Sequence, residues 1–504
     1  MYYPNNPNDS NNLLTITTPE LWPLNAKRII ESKNINIDEL KKMFTHITFP
    51  WDNKYNTERV YFSLRIEQRP LFIVKPINIL EIEKILDYVY LKNLTIRVMN
   101  GRHSSALTYS EVLVDMSSFL NKELRGDVLI AGSGNTQGAL NDFLFNQNNR
   151  EIYSHFGSFT HPRVDTDAFP GGSAASVGCA GISTAGGVGT LCRTFSVTVD
   201  SIISFKITIP PTDKQKSKTI TASEDSHPDL FWALRGGVGS NFGIISEITY
   251  DIIEVPGIIQ YGIIWNCWHH AVHILNKWKK ESICRPIQFN EDLVVFYNPI
   301  TGKVGIELSG FYVIPPNQTE EKAIKKIHSQ LDSLGGTLTI QATIPYSNLY
   351  KQLVKNRAYY NFSIIQPMFT NIINSEEIVR MIDLAKELML PGQASISFTL
   401  LGGKINEVSS DGTAFYPRNR HFFVDLATSW QNISEGQSME MWTNKVVKKL
   451  IKIHDIIVYV GFPITFSNIK YTNSIYYGKN YHRLQKIKKV YDPLNILTHC
   501  GTIK

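Results

Sequence analysis

An α+β fold of about two domains is what the amino-acid sequence predicts, and three observations lead there. The chain has 504 residues, more than one hydrophobic core ordinarily serves. Its first half alternates short β-type runs with helical periodicity, whereas the stretch after Pro256-Gly257 reads as paired strands backed by helices. Pro256-Gly257 is itself a natural break between the two textures.

The first forty or so residues, Asn-rich at the start, read as an extension with helical character near Ile37–Phe44. Leu71–Val74 then forms a strand closed by Pro76, and Ile79, Ile82, Ile85, Leu86 and Val89 share one face of a helix over Ile79–Lys92. Strands follow at Leu94–Val98, Val112–Met116 and Val128–Ala131. Gly171–Gly189 carries too much glycine for an ordinary helix. Further on, Thr301-Gly302 between Leu293–Phe296 and Val304–Leu308 signals a hairpin. Thr319–Leu334 is a helix stopped by Gly335, and another opens at Ser375 and ends before Pro391-Gly392. Strands at Ser395–Leu401 and His421–Thr428 come next, then helices around Lys445–Lys452 and Tyr481–Tyr491. There is no internal repeat.

Composition narrows the function classes. Hydrophobic residues make up 43% and charged residues 19%, a globular balance rather than a disordered one. The longest apolar run, Ile456 to Phe466, contains Gly461 and Pro463 and falls short of a membrane span. The opening MYYPNNPNDSNN has no basic head or apolar stretch, so no secretory signal is expected. Five scattered cysteines (Cys179, Cys192, Cys267, Cys284, Cys500) make neither a disulfide framework nor a CxxC metal site. The expected setting is a reducing one, cytoplasmic or packaged in a particle, in preference to extracellular. From Met441 onward, 11 basic residues face two acids, within an overall charge of +6. A solvated helix face is the simpler account of that excess than nucleic acid or another polyanion.

The most informative stretch is FPGGSAASVGCAGISTAGGVGTLCR, Phe169 to Arg193. Glycine there permits positive φ and lets backbone N–H groups approach a diphosphate. It is neither GxGxxG nor GxxxxGK[ST], so the common dinucleotide and P-loop readings fail. Two further runs accompany it: HPDLFWALRGGVGSNFGIISEITY (His227–Tyr250) and YYGKNYHRLQKIKKVYDPLNIL (Tyr476–Leu497). Together, in this order, they resemble the berberine-bridge-enzyme-like FAD-linked oxidases of the vanillyl-alcohol-oxidase or PCMH-type flavoprotein superfamily. The resemblance runs from about Phe49 to Thr498.

That resemblance implies a PCMH-type FAD-binding domain of two α+β subdomains, with an antiparallel-sheet substrate domain inserted into it. The corresponding boundaries are an extension at 1–40, FAD binding at 41–255, substrate binding at 256–461, and a return to the FAD domain at 462–504. It also implies a covalent flavin. The family's attachment run matches Gly101-Arg102-His103 followed by Ser104, with Arg102 replacing a glycine and His103 as the attachment residue. A second attachment, through cysteine, is not expected, because Ala174 stands at its position and Cys179 lies five residues further on. The pyrophosphate cradle would be drawn from Gly172, Ser173, Ser176, Val177, Gly178, Gly186 and Gly187. Further family positions near the cofactor match Gly132, Ser133, Gly134, Asp200, Asn241, Gly243, Tyr477, Asn480 and Asn495. Each of these residues also suits ordinary turn chemistry.

The catalytic base is the departure. Relatives carry an Asn-Tyr pair where this chain has Gly461-Phe462, and phenylalanine accepts no proton. An upstream family acid matches Phe423. Asp425, on the same strand face as Phe423, and Tyr459 are the candidates to take over, although both also suit an ordinary sheet. Arg418 would bind an acidic substrate group or pair structurally. His269, His270 and His273 crowd one turn without an HExxH glutamate, and no metal is expected. The function implied is an FAD-dependent oxidase. It takes hydride from a C–H of an alcohol, sugar or amine to flavin N5, with molecular oxygen as acceptor giving hydrogen peroxide. A flavin-binding scaffold or surface protein with little or no turnover is the alternative. The partners are a small-molecule substrate and oxygen, with no membrane.

Overall fold

The computed structural model describes residues 21–66, 68–104, 110–148, 152–153, 176–189, 191–254, 257–341, 343, 362–452, 455–464, 473–497 and 503. They form a mixed α+β molecule built on three main sheets. The first has the order β1-β2-β4-β3, from β1 (Ile47–Thr48), β2 (Phe72–Val74), β3 (Ile96–Met99) and β4 (Val112–Asp115). β2 and β3 both run parallel to β4, and the crossover between β2 and β3 is the helix Ile79–Leu91. Asn78 caps that helix by accepting the Glu81 N–H at 3.0 Å. Glu81 in turn is buried and accepts from the N–H and hydroxyl of Thr45 at 3.2 and 2.7 Å, which ties the incoming chain to the helix.

That incoming chain is more than an extension. Helices Leu21–Ser32 and Ile37–Met43 insert Ala26, Ile30 and Leu40 into the core of the first sheet, joined there by Ile35 from the link between them. Their apolar residues lie amid Asn and Lys, so the sequence pattern alone understated their burial. At the other end of the chain, the Ile96 N–H donates to Ile496 O at 2.9 Å, so the C-terminal segment runs beside β3.

The second sheet is antiparallel, with the order β5-β6-β10-β8-β9, from β5 (Lys122–Arg125), β6 (Val128–Gly132), β8 (Ile202–Ile209), β9 (Lys218–Ser223) and β10 (Ile244–Asp251). A small ribbon pairs β7 (Ile152–Tyr153) with β11 (Ile253–Glu254). The third sheet has eight strands in the order β15-β12-β14-β13-β17-β18-β16-β19. They are β12 (Ile258–Trp265), β13 (Phe289–Asn298), β14 (Lys303–Val313), β15 (Thr337–Ile340), β16 (Phe362–Thr370), β17 (Gln393–Leu400), β18 (Phe422–Trp430) and β19 (Ile457–Val458). Every pairing in it is antiparallel.

The two faces of this large sheet differ. Leu293, Val295, Ile396, Phe398, Val424 and Leu426 point to the side on which helices Ser375–Glu387 and Gly436–Lys452 pack. On the opposite face the register lines up Glu307, Val294, Ser397, Asp425 and Pro367 in one row, and Ser309, Asp292, Thr399, Phe423 and Phe369 in the next. Period-two alternation thus sorts apolar side chains to one side and a polar set to the other. Three carboxyls of that polar set, Asp292, Glu307 and Asp425, are buried, and desolvation pushes each up to about 7.

Folded carboxyls near 7, against about 4 in the unfolded chain, mean that the native state holds more protons between those values. Their contribution to stability is therefore full below about pH 4 and is lost as pH rises through 7. Asp292→Asn removes one such group while keeping an acceptor for the Thr399 hydroxyl that bonds Asp292. The melting temperature of the variant relative to the native protein should rise steadily from pH 5 to pH 8, and a difference that is flat with pH would refute the assignment.

Candidate active site

Between the polar face of the third sheet and the first two sheets lies a cavity of about 230 Å³. On the sheet side it is lined by Ile365 and Pro367 of β16, Phe423 and Asp425 of β18, and Tyr459, Gly461 and Phe462 just after β19. On the other side stand the loop Asn100–Ser104 after β3, the segment Val177–Gly178, and the helix Cys179–Ala185.

Two loops on that far wall lock together because both carry glycine. A Cβ at Gly101 would sit 2.1 Å from the Gly178 nitrogen, and one at Gly178 would sit 2.7 Å from the Gly101 nitrogen. Asn100 fastens them to a third loop, donating from Nδ2 to Ser133 O at 2.7 Å and to Asn135 O at 2.9 Å. His103 projects beyond the lock. Its Nε2 is 2.8 Å from Ser176 Oγ, and its ring stacks on Phe62 at 4.3 Å. Between Gly101 and His103, Arg102 holds φ +60, the left-handed region in which glycine is at ease. Its guanidinium bonds Asp115 at 2.8 Å and Thr57 O at 3.1 Å. Val238, also on the cavity, has φ +61, a second strained residue and one with a branched β-carbon.

The opposite wall holds the titratable groups. Asp425 is 4% exposed, and its Oδ1 is buried with no hydrogen-bond partner among the described residues. Burial alone raises its carboxyl to about 7. Tyr459 lies 5.9 Å from Phe369 and 5.7 Å from Phe423, centroid to centroid, and its hydroxyl accepts the Gly187 N–H at 3.2 Å. Burial pushes that hydroxyl up to about 12. Phe462 is also on the cavity wall, and its ring lies 6.4 Å from that of Tyr459.

Most of the remaining expected site residues that are described fall away from this cavity's lining. Gly132 and Gly134 press against the backbone at Phe119 and Met116, and the Ser133 N–H bonds Ser246 O at 2.9 Å. Gly186 and Gly187 turn the chain, with Gly187 against Thr198. Asp200 is spent on Arg418: both carboxylate oxygens take a guanidinium nitrogen at 2.7 Å, and Arg418 is fully buried. A buried guanidinium requires a carboxylate, so neither residue of this pair is left for a ligand. Asn241 bonds Gly237 O at 2.8 Å, and its own carbonyl accepts Lys488 Nζ at 2.7 Å. Tyr477 is buried, Asn480 bonds Ser410 O and Thr413 O, and Asn495 holds φ +54 in a turn. Gly243 does line the cavity. Gly172 and Ser173, with Ala174, lie outside the described residues. Cys179 is buried, its thiol pushed up to about 12 and turned to the carbonyls of Gly132 and Ser133.

The cavity also recruits residues that sequence reasoning missed. Tyr61, Arg97 and Gln137 line it, with Tyr61 OH and Gln137 Oε1 buried and without partners. Arg97 lies over the Tyr61 ring at 5.0 Å. β3 buries Arg97 together with Ile96 and Met99, and no alternation along the strand signals that its charged residue lies inside. A cofactor with an anionic chain and a polar ring system fits these donors. Arg97 brings a cationic group to the first-sheet end, where Tyr61 OH and Gln137 Oε1 are buried beside it, while Arg102 is neutralised by Asp115. A Cβ at Gly181, on the helix facing the gap, would meet nothing within 4 Å.

A family model described as berberine and berberine like matches residues 459–503. Over nearly the whole chain, the FAD-linked oxidoreductase YgaK of Bacillus subtilis is 25% identical, across 91% of this chain and 96% of its own length. Berberine bridge enzyme-like 16 of Arabidopsis thaliana is 21% identical, across 90% and 87%. The chain is similar to berberine-bridge-enzyme-like FAD-linked oxidoreductases. Solved structures share its fold. A chitooligosaccharide oxidase superposes with a TM-score of 0.77 at 18% identity, covering 92% of this chain and 98% of its own. Physcomitrella patens BBE-like 1 gives 0.74 at 19% identity, covering 92% and 98%.

Arg102 makes a direct test of backbone strain. Arg102→Gly and Arg102→Ala both lose the bond to Asp115, but only alanine keeps the left-handed penalty, about 1 kcal/mol. Denaturant midpoints should therefore rank the glycine variant above the alanine variant by roughly that amount, and equal midpoints would show that the loop relaxes freely.

Proposed function

We propose that this protein is an FAD-dependent oxidase acting on a hydroxyl-bearing carbon of an alcohol or sugar, with Asp425 as the general base. The observation that carries the reading is the buried, partnerless Asp425 oxygen on the cavity wall. A carboxyl poised near 7 accepts a substrate proton close to neutral pH, whereas a tyrosine pushed up to about 12 does so only at a large cost. Tyr459 is then a positioning residue, holding the Gly187 backbone against the sheet. Two structural neighbours support the sugar or alcohol class by their names, a chitooligosaccharide oxidase and a carbohydrate oxidase from Microdochium nivale. A hydroxyl also has the proton that such a base needs to remove, which an uncharged amine does not require.

The residues that would hold FAD are His103, through a covalent bond from its ring, the interlocked Gly101 and Gly178 loops, Arg97, Gln137 and Gly243. Bound there, FAD supplies the two-electron oxidation of the substrate C–H and the passage of those electrons to oxygen, giving hydrogen peroxide. In this reading, residues 41–255 and 462–504 bind the cofactor, joined by the buried helices ahead of residue 41, while 256–461 bind the substrate.

Asp425→Asn should slow flavin reduction by substrate by about 10²–10⁴-fold with the flavin still bound. Tyr459→Phe should cost less than about tenfold, because it removes an acceptor and not the base. In stopped-flow measurements the native reduction rate should climb with pH and level off above about 7, the range in which Asp425 becomes ionised. The asparagine variant should lose that climb, and a climb that survives would move the base elsewhere. His103→Ala should release the yellow colour on acid precipitation, and retained colour would relocate the attachment. If no alcohol, sugar or amine in a broad panel reduces the flavin, the scaffold alternative is the better account.

A further inference from the structure

On the far side of the third sheet, away from the cavity, three metal-type donors converge on one exposed turn. β12 ends at Trp265, and the 3-10 turn Trp268–His270 leads into the helix Ala271–Ser282. The Cys267 Sγ and one ring nitrogen each of His269 and His270 lie within 4.8 Å of one another, and all three residues are exposed. We propose that Cys267, His269 and His270 form a binding site for a borderline-soft divalent cation of the zinc class, with its fourth position open to water.

The grouping differs from what the spacing suggests. His269 and His273 stand four apart, but His273 is not one of the three donors, and the thiol takes the place of the second helical histidine. The cause is the turn. The His270 N–H bonds Cys267 O at 3.2 Å, an i to i+3 closure that eclipses the first and last side chains, so Cys267 and His270 lie on one side. The His269 ring then stands 4.1 Å from the His270 ring at 60°, tilted rather than stacked, and completes the triangle. The residue between them pins the turn. Trp268 points inward, and its Nε1 donates to Asp383 Oδ1 at 2.7 Å in the helix Ser375–Glu387. The backbone is therefore held while the donors remain in solvent.

Bond lengths near 2.3 Å for sulfur and 2.0–2.1 Å for nitrogen place tetrahedral donors about 3.5 Å apart. The present triangle must tighten by roughly 1 Å, which side-chain rotation alone provides. A thiolate with two imidazoles selects zinc-class ions over magnesium or calcium, which prefer oxygen. Binding displaces the Cys267 thiol proton to solvent, one proton for each ion, and no redox step is involved.

The test uses reduced, tag-free, full-length protein and Co²⁺ as a spectroscopic stand-in. One Co²⁺ per chain should bind with a thiolate charge-transfer band, which Zn²⁺ then removes. Cys267→Ser should abolish the band, and Cys267→Ser and His270→Ala should each weaken Zn²⁺ binding by more than about a hundredfold, beyond the roughly 10–100-fold that loss of an outer-shell partner usually costs. His273→Ala and Cys284→Ser, the latter removing the other exposed free thiol among the described residues, should leave band and affinity unchanged. Absence of a thiolate band, its loss in Cys284→Ser, or one ion per two chains would each overturn the proposal. Melting curves of the metal-free variants matching the native chain's would show that any loss is at the site and not of the fold.

Discussion

Arg418 must be neutralised where it is, and much of the cavity's shape follows from that. Its guanidinium is fully buried and has Asp200, Thr413 Oγ1 and Phe415 O as its partners. Breaking such a pair leaves an uncompensated buried charge, at a cost of about 3–5 kcal/mol. The clamp draws the stretch before β18 against the turn that opens β8, and so sets the third sheet against the second. Phe415 is wedged in the same place. Its N–H bonds Arg235 O at 3.0 Å, and its ring occupies the space a Cβ at Gly186 would take, at 2.5 Å. Glycine at 186 and 236 is thus a condition of domain approach, and the gap left beside it is the cavity.

Within that gap, the described side chains differ in what they offer a proton. Phe462 presents a ring that can only pack. Tyr459 has a hydroxyl but offers it to a backbone N–H and sits among aromatic rings. Among the described residues of the cavity wall, Asp425 combines a free oxygen with an ionisation near neutrality. Its cross-strand partners, Pro367 and Ser397, bring no cation to it. The absence of any cationic cause of shift explains why its carboxyl rises instead of falling.

Much of this architecture was legible in the sequence because local signals agreed with tertiary demand. Asn78 and Thr319 cap where the periodicity starts, and Gly335 ends a helical stretch with φ +70. The Gly101-Arg102-His103 run is at the cavity wall because glycine is needed where two loops touch. Other parts could not be read. The role of Asp200 depended on a residue 218 positions away, its partner Arg418. Arg97 and Gln137 look like ordinary strand and helix residues until the sheets are assembled. The early helices carry polar neighbours that hid Ala26 and Leu40. Cys267 was set aside as one of five scattered cysteines, since a 3-10 turn, unlike an α-helix, juxtaposes residues three apart.

Gly181 carries a different implication. It lies in the helix that faces the sheet across the cavity, and a methyl group placed there would touch nothing. Most glycines in this protein are held by contact, so that any side chain would force the backbone to move; this one is held by nothing. Bulk at position 181 would subtract from the free space without disturbing the loops or the ion pairs that shape it. The room in the gap can therefore be trimmed by single substitutions at this helix while the buried carboxyl opposite is left untouched.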